Sequence, residues 1–381
     1  MVIGINCLYL IPGKVGGTET YLRNLIRELM VLDQENQYIL FTNLKCCDTF
    51  GKLPDQWREV ICPFDPENKL TRIWWEQVKL PRLVRQNKVD VLHSPAYVSP
   101  LWVNAARVVT IHDMHYHYFP ETFSKAKQLY WKWGIPVSAK RSEQVLTVSY
   151  HAAEDIKKTL YLESQQVKAI PLAASDIFLQ DISEQDVQSY LKDKKFTTPY
   201  ILCVATFNRH KNLTGLIRSF AQFKIKSGLP HHLVLAGILG EDTPRVMAEI
   251  VESGCQDVIH VPGPIPFKEL PLLYRGAEVF CLLSYFEGFG LPILEAMACG
   301  VPVICSNRTS LPEVAGDAAI IVNPDETKQA ADAMLKLLTH PDIRQEYIQR
   351  GIKRITEFSW KKMASETLEA YRDAERIWKK A

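Results

Sequence analysis

The sequence of 381 residues has no apolar run that approaches the ~18 residues of a membrane-spanning helix. Charge is also nearly balanced, because 45 Lys and Arg face 43 Asp and Glu, for a formal net charge of +2. Nine cysteines occur, but no pair has the CxxC spacing of a zinc or redox motif. These absences argue against a membrane-spanning protein and give no reason to expect nucleic acid as the main partner.

The amino terminus, MVIGINCLYLI, has no basic leader and continues into PGKVGG. We therefore predict a first strand here rather than a signal peptide. Several cysteines lie in apolar runs, which is typical of reduced core thiols. Together these features predict a cytoplasmic protein.

Short apolar runs alternate with longer amphipathic stretches, which is the pattern of βαβ units and parallel sheets. The length suffices for about two domains of ~150 residues each. Predicted strands of the first half are VIGINCLYL, QYILFTN, REVICPF, DVLHS, ARVVTIHD and QVLTVS. Those of the second half are PYILCVAT, HHLVLAG, DVIHVPG, EVFCLLS, VPVICS and AAIIVNP. The pattern predicts two Rossmann-like domains joined near residues 172–197, with one amphipathic helix left over at the end.

Three glycines separate the first predicted strand from the first predicted helix, in LYLIPGKVGGTETYLRNLI. Glycine lets the backbone approach a ligand closely, and a helix N-terminus offers free N–H groups to an anion. The loop has neither GxGxxG nor the Lys-Ser or Lys-Thr of a P-loop. Because ligands bind at the carboxyl ends of parallel strands, Gly16 and Gly17 are candidates for anion contact. A tight turn without a ligand is the alternative.

The segment TIHDMHYHYFP, after the fifth predicted strand, contains His112, Asp113, His115 and His117. On an extended segment His115 and His117 point the same way, as two metal ligands would. A third ligand at fixed spacing is missing, so we favour a polar strand end that orients a substrate. Packing roles for the histidines are a further alternative.

Cations follow the first strand of the second domain, where Arg209, His210 and Lys211 precede an amphipathic helix. Their position suits an anionic ligand such as a diphosphate. A solvated loop would have the same composition, so both interpretations stay open from this segment alone.

The stretch EGFGLPILEAMACG, residues 287–300, places Glu287 and Glu295 around a turn that leads into a short helix. Pro292 fits the first helical turn, and Gly300 with the following proline ends the helix. Carboxylates accept hydrogen bonds from ribose or sugar hydroxyls, while helix amides bind phosphates. The stretch therefore predicts a site for a ligand rich in both hydroxyls and phosphate.

The order and spacing of several segments resemble those of glycosyltransferase family 4. This is a large retaining family, also called group 1, with the GT-B fold. The string EGFGLPILEAMACGVPVICSNRTSLPEVAGDAA carries most of the resemblance, together with GGTETYLRNLI, VVTIHD, VSYHAAEDIKK, RHKN and the FSW helix. It implies two Rossmann-like α/β domains that face each other across a cleft. Residues 1–172 would bind the acceptor, 173–197 would form a linker, and 198–358 would bind the nucleotide sugar. Helix 359–381 would cross back and pack on the first domain.

Site roles also follow from the resemblance, position by position. Glu295 would hold the donor ribose, and Lys211 would bind the diphosphate. Glu287 would lie against the donor sugar and its diphosphate, beside Gly288, Phe289, Gly290 and Leu291. Gly16 and Gly17 would close on the phosphates, and His112 would lie near the transferred sugar. Many members have a second cation where this chain has Ala205, and Arg209 is a candidate to replace it.

The implied activity is a retaining transfer of a hexose, with GDP-mannose as the expected donor, to a glycan or lipid-linked glycan. His112, Glu287 and Lys211 are the expected catalytic residues. No metal and no cofactor is expected, since the nucleotide sugar is a substrate. Two alternatives are a nucleotide-sugar 2-epimerase of the same fold and a zinc hydrolase that uses the histidines from 112 to 117.

Residues 69–88, KLTRIWWEQVKLPRLVRQNK, combine two tryptophans with several cations. Such a segment suits peripheral contact with the anionic inner face of a membrane that carries a lipid-linked acceptor. We favour the alternative, in which Trp74 and Trp75 pack under the first domain while the cations are solvated.

Overall fold

The computed structural model describes residues 1–14 and 16–380, and these form two compact units with one parallel sheet each. The first unit contains residues 1–172 and the C-terminal segment from Ser359, and the second contains residues 173–358. The predicted fold class, α/β with two Rossmann-like domains, is confirmed. Within the described ranges, no helix has both the length and the apolar character needed to cross a bilayer.

The first sheet has seven parallel strands in the order β3-β2-β1-β4-β5-β6-β7. The strands are β1 Val2–Asn6, β2 Gln37–Asn43, β3 Trp57–Cys62, β4 Val91–Ser94, β5 Ala106–Thr110, β6 Gln144–Thr147 and β7 Val167–Ala169. The helices between them are α1 Gly17–Leu32, α2 Lys69–Trp74, α3 Leu80–Gln86, α4 His115–Tyr118, α5 Lys125–Arg141 and α6 Tyr150–Leu160. Side chains of the central strands, such as Ile3, Ile5 and Val108, have no exposed surface. Burial on both faces of the sheet explains why these strands are continuous apolar runs.

The second sheet has six parallel strands in the order β10-β9-β8-β11-β12-β13. The strands are β8 Tyr200–Val204, β9 His232–Ala236, β10 Ile259–Gly263, β11 Val279–Leu282, β12 Val303–Ser306 and β13 Ala319–Val322. The helices are α7 Glu184–Asp193, α8 Leu213–Ser227, α9 Thr243–Glu252, α10 Leu270–Arg275, α11 Leu291–Ala298, α12 Leu311–Ala315, α13 Thr327–Thr339 and α14 Pro341–Ile355. Strands β8 and β11 are adjacent although far apart in the chain, which brings their following loops to one point.

The last helix, α15 Trp360–Trp378, packs on the sheet of the first unit. Ser359 caps it, because its hydroxyl accepts a hydrogen bond of 3.3 Å from the Lys362 N–H. Its inner face is apolar apart from the hydroxyls of Thr367 and Tyr371. The Tyr371 hydroxyl lies 2.7 Å from Nδ1 of His93 in β4, so the helix is joined to the centre of the sheet by a buried hydrogen bond.

Four stretches differ from the sequence-based prediction. Residues 173–197, expected as a linker, belong to the second unit and contain α7, which buries Val187, Tyr190 and Leu191. Strand β7 was missed because it has only three residues. Helix α5 was missed too, since its sequence contains Pro136, a residue that usually interrupts helices. Residues 69–88, an amphipathic stretch in the sequence, form no single helix but are divided into α2, a π-helical turn at Trp75–Lys79, and α3.

Candidate active site

The candidate site lies at the carboxyl-end edge of the second sheet, where the loops after β8, β11, β12 and β13 meet. Asn212, the buried N-cap of α8, holds three of these loops together. Its side-chain oxygen accepts from the Gly215 N–H, and its amide donates to the carbonyls of Leu283 at 3.2 Å and Pro324 at 3.1 Å. The cationic loop before Asn212 is therefore fixed against the loop that contains Glu287.

Lys211 and Glu287 form an ion pair at this edge. The Lys211 ammonium lies 2.7 Å from each carboxylate oxygen of Glu287, and both side chains are largely buried, at 18% and 11% exposure. The Ser284 hydroxyl donates to Oε1 of the same carboxylate at 2.7 Å. Since each carboxylate oxygen can accept about two hydrogen bonds, Oε2 of Glu287 retains acceptor capacity for a ligand hydroxyl.

Residues that follow β12 hold the loop at residues 287–291 in place by hydrogen bonds. The Glu287 N–H donates to the Thr309 hydroxyl at 3.0 Å, and the Ser310 hydroxyl contacts the carbonyls of Glu287 and Phe289 at 2.9 and 2.8 Å. Gly290 has a φ of 109°, and a Cβ there would lie 2.7 Å from Leu311 Cδ2. This position thus requires glycine on both conformational and steric grounds.

The last three residues of this loop, 289–291, present backbone N–H groups at the start of α11. Within the described part of the chain, no group accepts a hydrogen bond from the N–H of Phe289, Gly290 or Leu291. Phe289 and Gly290 are buried, and buried N–H groups in native proteins are nearly always paired. These three N–H groups are therefore candidate donors to an anionic ligand at a helix N-terminus.

Glu295 is a buried carboxyl group on α11. Burial raises its pKa to about 7, and a 2.9 Å hydrogen bond from the Tyr274 hydroxyl to Oε2 opposes that rise by favouring the charged form. No described residue donates a hydrogen bond to Oε1. The carboxylate thus has one oxygen oriented by Tyr274 and one available for ligand hydroxyls.

Arg209 is exposed, and only its backbone is held: its N–H donates to Glu241 at 3.1 Å, and its carbonyl accepts from the Asn212 N–H at 3.2 Å. Its guanidinium forms no ion pair with any described residue, so its charge is available to a ligand.

Most residues that fix this site were missed by sequence reasoning: Asn212, Tyr274, Ser284, Thr309 and Ser310. Only Asn212 had a local signal, as a good N-cap residue before the predicted helix.

The remaining predicted site residues, Gly16, Gly17 and His112, lie in the first unit. Gly16 has φ 56° and ψ −132°, a conformation that favours glycine, and it caps α1. Gly17 is the first helical residue, so the backbone requirement for glycine falls on Gly16. The ring of Tyr21, from the same helix, lies 5.1 Å from the ring of His112.

His112 is buried just after β5, with Nε2 3.0 Å from the Pro95 carbonyl oxygen. A carbonyl only accepts, so Nε2 carries the proton and Nδ1 has the free lone pair. Burial lowers the pKa of His112 to about 4, which keeps the ring neutral near pH 7. His112 is therefore suited to accept a hydrogen bond from a substrate hydroxyl through Nδ1.

The extended geometry that would point His115 and His117 the same way, as in the metal alternative, is not present. Residues 115–118 form the short helix α4, and positions two apart on a helix point to different sides. The His115 ring instead lies 5.5 Å from Phe119 and 5.3 Å from Phe123. Among the residues described, no group of three His, Cys, Asp or Glu side chains is arranged to hold a metal ion.

An α/β protein with two Rossmann-like units and this arrangement of cation, amides and carboxylates has the features of an enzyme that acts on a nucleotide-linked substrate. The family model for glycosyl transferases group 1 matches residues 162–354, and the model for glycosyltransferase family 4 matches residues 15–174. The chain belongs to the glycosyl transferases group 1 family, and it is a glycosyltransferase.

Individual relatives are similar over much of the chain. O-antigen chain mannosyltransferase B of Escherichia coli is 31% identical over 290 residues, which cover 76% of each chain. O-antigen chain mannosyltransferase RfbU of Salmonella typhimurium is 29% identical over 236 residues, or 62% of each chain.

Solved structures show the same GT-B fold. Sucrose-phosphate synthase of Thermosynechococcus elongatus matches with a TM-score of 0.77 at 19% identity, over 100% of both chains. Anabaena HepE, in complex with UDP and glucose, matches with a TM-score of 0.75 at 16% identity, over 97% of this chain and 99% of that one.

Proposed function

We propose that the protein transfers mannose from GDP-mannose to a hydroxyl of a glycan or lipid-linked glycan, with retention of configuration and without a metal ion. The observation that carries this proposal is the grouping of Lys211, the unpaired amides of 289–291 and Glu295 at one sheet edge. It provides a cation and amides for a diphosphate and a carboxylate for ribose. Mannose is supported by the two O-antigen mannosyltransferases among the relatives.

In this proposal the residues bind and stabilise charge rather than form a covalent bond to the sugar. Lys211 and the amides of 289–291 stabilise the charge that grows on the leaving diphosphate, which takes up the acceptor proton on the same face. Glu287 orients Lys211 and binds the donor sugar through Oε2. His112 accepts a hydrogen bond from the transferred sugar, and Gly16 and Gly17 bring backbone N–H groups to the phosphates.

The test combines donor screening with product analysis. GDP is expected to raise the melting temperature more than UDP, since only the cognate nucleotide makes every contact. With GDP-mannose and a mannan-type acceptor, the product should have the donor's anomeric configuration by NMR, and transfer should persist in excess EDTA.

Three outcomes would contradict parts of the proposal. An inverted product would exclude retention, and loss of activity in EDTA would favour a metal-dependent reaction. An epimer formed from the donor alone, without acceptor, would identify the 2-epimerase instead.

Glu295→Gln is expected to weaken nucleotide binding and to reduce its dependence on pH to the part that comes from the nucleotide's own terminal phosphate. Because the pKa of Glu295 is about 7, the charged form dominates above that pH and the neutral form below it. One pH unit below 7, only about a tenth of the carboxyl is charged, so wild-type affinity should fall about tenfold relative to its plateau above pH 7. Calorimetry with free nucleotide on both proteins measures this, and equal pH profiles would refute the assignment of Glu295 to the ribose.

Peripheral membrane contact through residues 69–88 is also proposed. Trp75 stacks on Phe64 at 5.4 Å, whereas Trp74 is 47% exposed beneath the Lys79 ammonium, and Leu70 is 80% exposed. Exposed apolar side chains next to cations favour an anionic interface. Leu70→Ala/Trp74→Ala is expected to reduce sedimentation with vesicles that contain phosphatidylglycerol. Sedimentation equal to wild type would exclude this surface.

A further inference from the structure

A cavity that is open to solvent lies within the first unit, at the opposite edge of its sheet from His112. It has a volume of about 660 Å³ and is lined by α3, by the segment that leads into β5 and the start of that strand, and by the ends of α5 and α15. Strand β5 has five residues, so the two ends of this strand are separated by about 13 Å. Nothing in the proposed transfer reaction uses this cavity.

Four arginines and two tryptophans dominate its wall: Arg82, Arg85, Arg107, Arg141, Trp102 and Trp378. Arg82, Arg85 and Arg141 are exposed and form no ion pair with a described residue. Arg107 is paired with Glu143 at 3.4 Å, but its buried Nε–H has no partner among the described residues. The wall therefore concentrates positive charge and leaves guanidinium donors unused.

The tryptophans hold two of these guanidinium groups in place. The Arg141 guanidinium carbon lies 5.3 Å from the centre of the Trp102 ring, and that of Arg107 lies 5.8 Å from the Trp378 ring. Trp102 is 73% exposed, which is unusual for so large an apolar side chain. Contact with a ring face orients a guanidinium without using its in-plane N–H donors. Arg141 donates one N–H to the Leu101 carbonyl at 2.9 Å, and its remaining donors stay available to an oxyanion.

Acidic groups do not compensate this charge from within the cavity, since none of the described residues that line it is Asp or Glu. A smaller cavity of about 330 Å³ next to it contains Asp90 and Glu375. Asp90 accepts from the Val2 N–H at 2.7 Å, and Glu375 pairs with Lys379 at 2.7 Å. Both nearby carboxylates thus have partners of their own.

We propose that this cavity is a binding site for a phosphate group, either in a soluble phosphorylated compound or in an anionic lipid headgroup. Phosphate has the size, charge and planar pairs of oxygens that arginine donors bind in bidentate fashion. The proposal is independent of the donor site, because the residues concerned belong to the other unit.

Inorganic pyrophosphate is the soluble probe, and calorimetry on the full chain measures its binding. The cavity variant is Arg82→Ala/Arg85→Ala/Arg141→Ala. Its matched control is Lys192→Ala/Lys328→Ala/Lys353→Ala, which removes three exposed cations from the second unit and changes the net charge equally. A third variant replaces the same three arginines by lysine and keeps the charge. Lys211→Met tests for binding at the donor site.

We expect the cavity variant to lose at least about tenfold in pyrophosphate affinity, the lysine variant to be intermediate, and the control to resemble wild type. Pyrophosphate bound at the donor site would show the reverse pattern, with loss in Lys211→Met and none in the cavity variant. That result would overturn the proposal, as would equal affinity in the cavity variant and its control.

Vesicles distinguish the two sources of phosphate. Sedimentation with phosphatidylcholine vesicles that contain phosphatidic acid, lost in the cavity variant and kept in its lysine-to-alanine control, would identify a lipid headgroup. Pyrophosphate binding without vesicle binding would identify a soluble ligand. If wild type binds neither probe, the proposal is wrong.

Discussion

Lys211→Met is expected to lower kcat for sugar transfer by about 100- to 1000-fold, the usual loss when a donor to a developing oxyanion is removed. Methionine keeps the length of the side chain, so the change is mainly the loss of charge and of the two 2.7 Å contacts with Glu287. The KM for the donor should change less, because Lys211 acts on charge that develops as the bond breaks. Steady-state kinetics measure both parameters.

The Lys211 variant also leaves the largely buried carboxylate of Glu287 without its cation, which costs stability and would repel a diphosphate. The double variant Lys211→Met/Glu287→Gln removes that repulsion. Recovery of the melting temperature without recovery of kcat would locate the effect in Lys211 itself. Arg209→Ala is the matched cation control, and its loss should be smaller because Arg209 is exposed. An unchanged kcat in Lys211→Met would remove Lys211 from the mechanism.

His112→Ala is expected to reduce transfer by about 100-fold or more while affinity for free nucleotide stays within about twofold. The reason is that Nδ1 of a neutral, buried imidazole is assigned to the transferred sugar and not to the nucleotide. Calorimetry with nucleotide and turnover assays with the intact donor separate these effects. The low pKa also predicts that His112 adds no ionisation to the rate profile between pH 6 and 9, since it is neutral there.

His117→Ala is the control for this experiment. If the histidines held zinc, either substitution would lower the bound metal, and added zinc would restore part of the activity. Loss of transfer in His112→Ala alone, with no change in metal content, is the expected result. Wild-type turnover in His112→Ala would exclude both roles for this residue.

The strands were predictable because each is a short apolar run, and burial on both sheet faces demands that composition. Eleven of the thirteen strands lie within runs predicted from the sequence, and Trp57–Cys62 begins one residue before its run, whereas Val167–Ala169 was too short to stand out. Helix α5 shows where local rules fail, since the buried side chains of Ile135 and Ala139 hold a helix together despite Pro136. Tertiary packing outweighs local propensity at such positions.

The site was predictable only in part. The sequence motifs identified Lys211 and Glu287 as site residues. Their ion pair, however, depends on the adjacency of β8 and β11, which no local pattern predicts. Tyr274 could not be found at all, because a tyrosine in an apolar helix gives no sign that it orients Glu295 twenty-one residues later. Asn212 could likewise be predicted as a helix cap, but its hydrogen bonds to the distant carbonyls of Leu283 and Pro324 could not.

The first unit is assembled from both ends of the chain, and this has a consequence for synthesis on the ribosome. Chains emerge at about 5–20 residues per second, from the N-terminus onward. The whole second unit, residues 173–358, emerges before α15 exists. Until then Nδ1 of His93 in β4 lacks its hydrogen-bond partner, the hydroxyl of Tyr371. During that interval the surface that will receive Met363, Ala370 and Ala374 is open to water and to other nascent chains. The first unit, although most of it is made first, is therefore the one that finishes folding last.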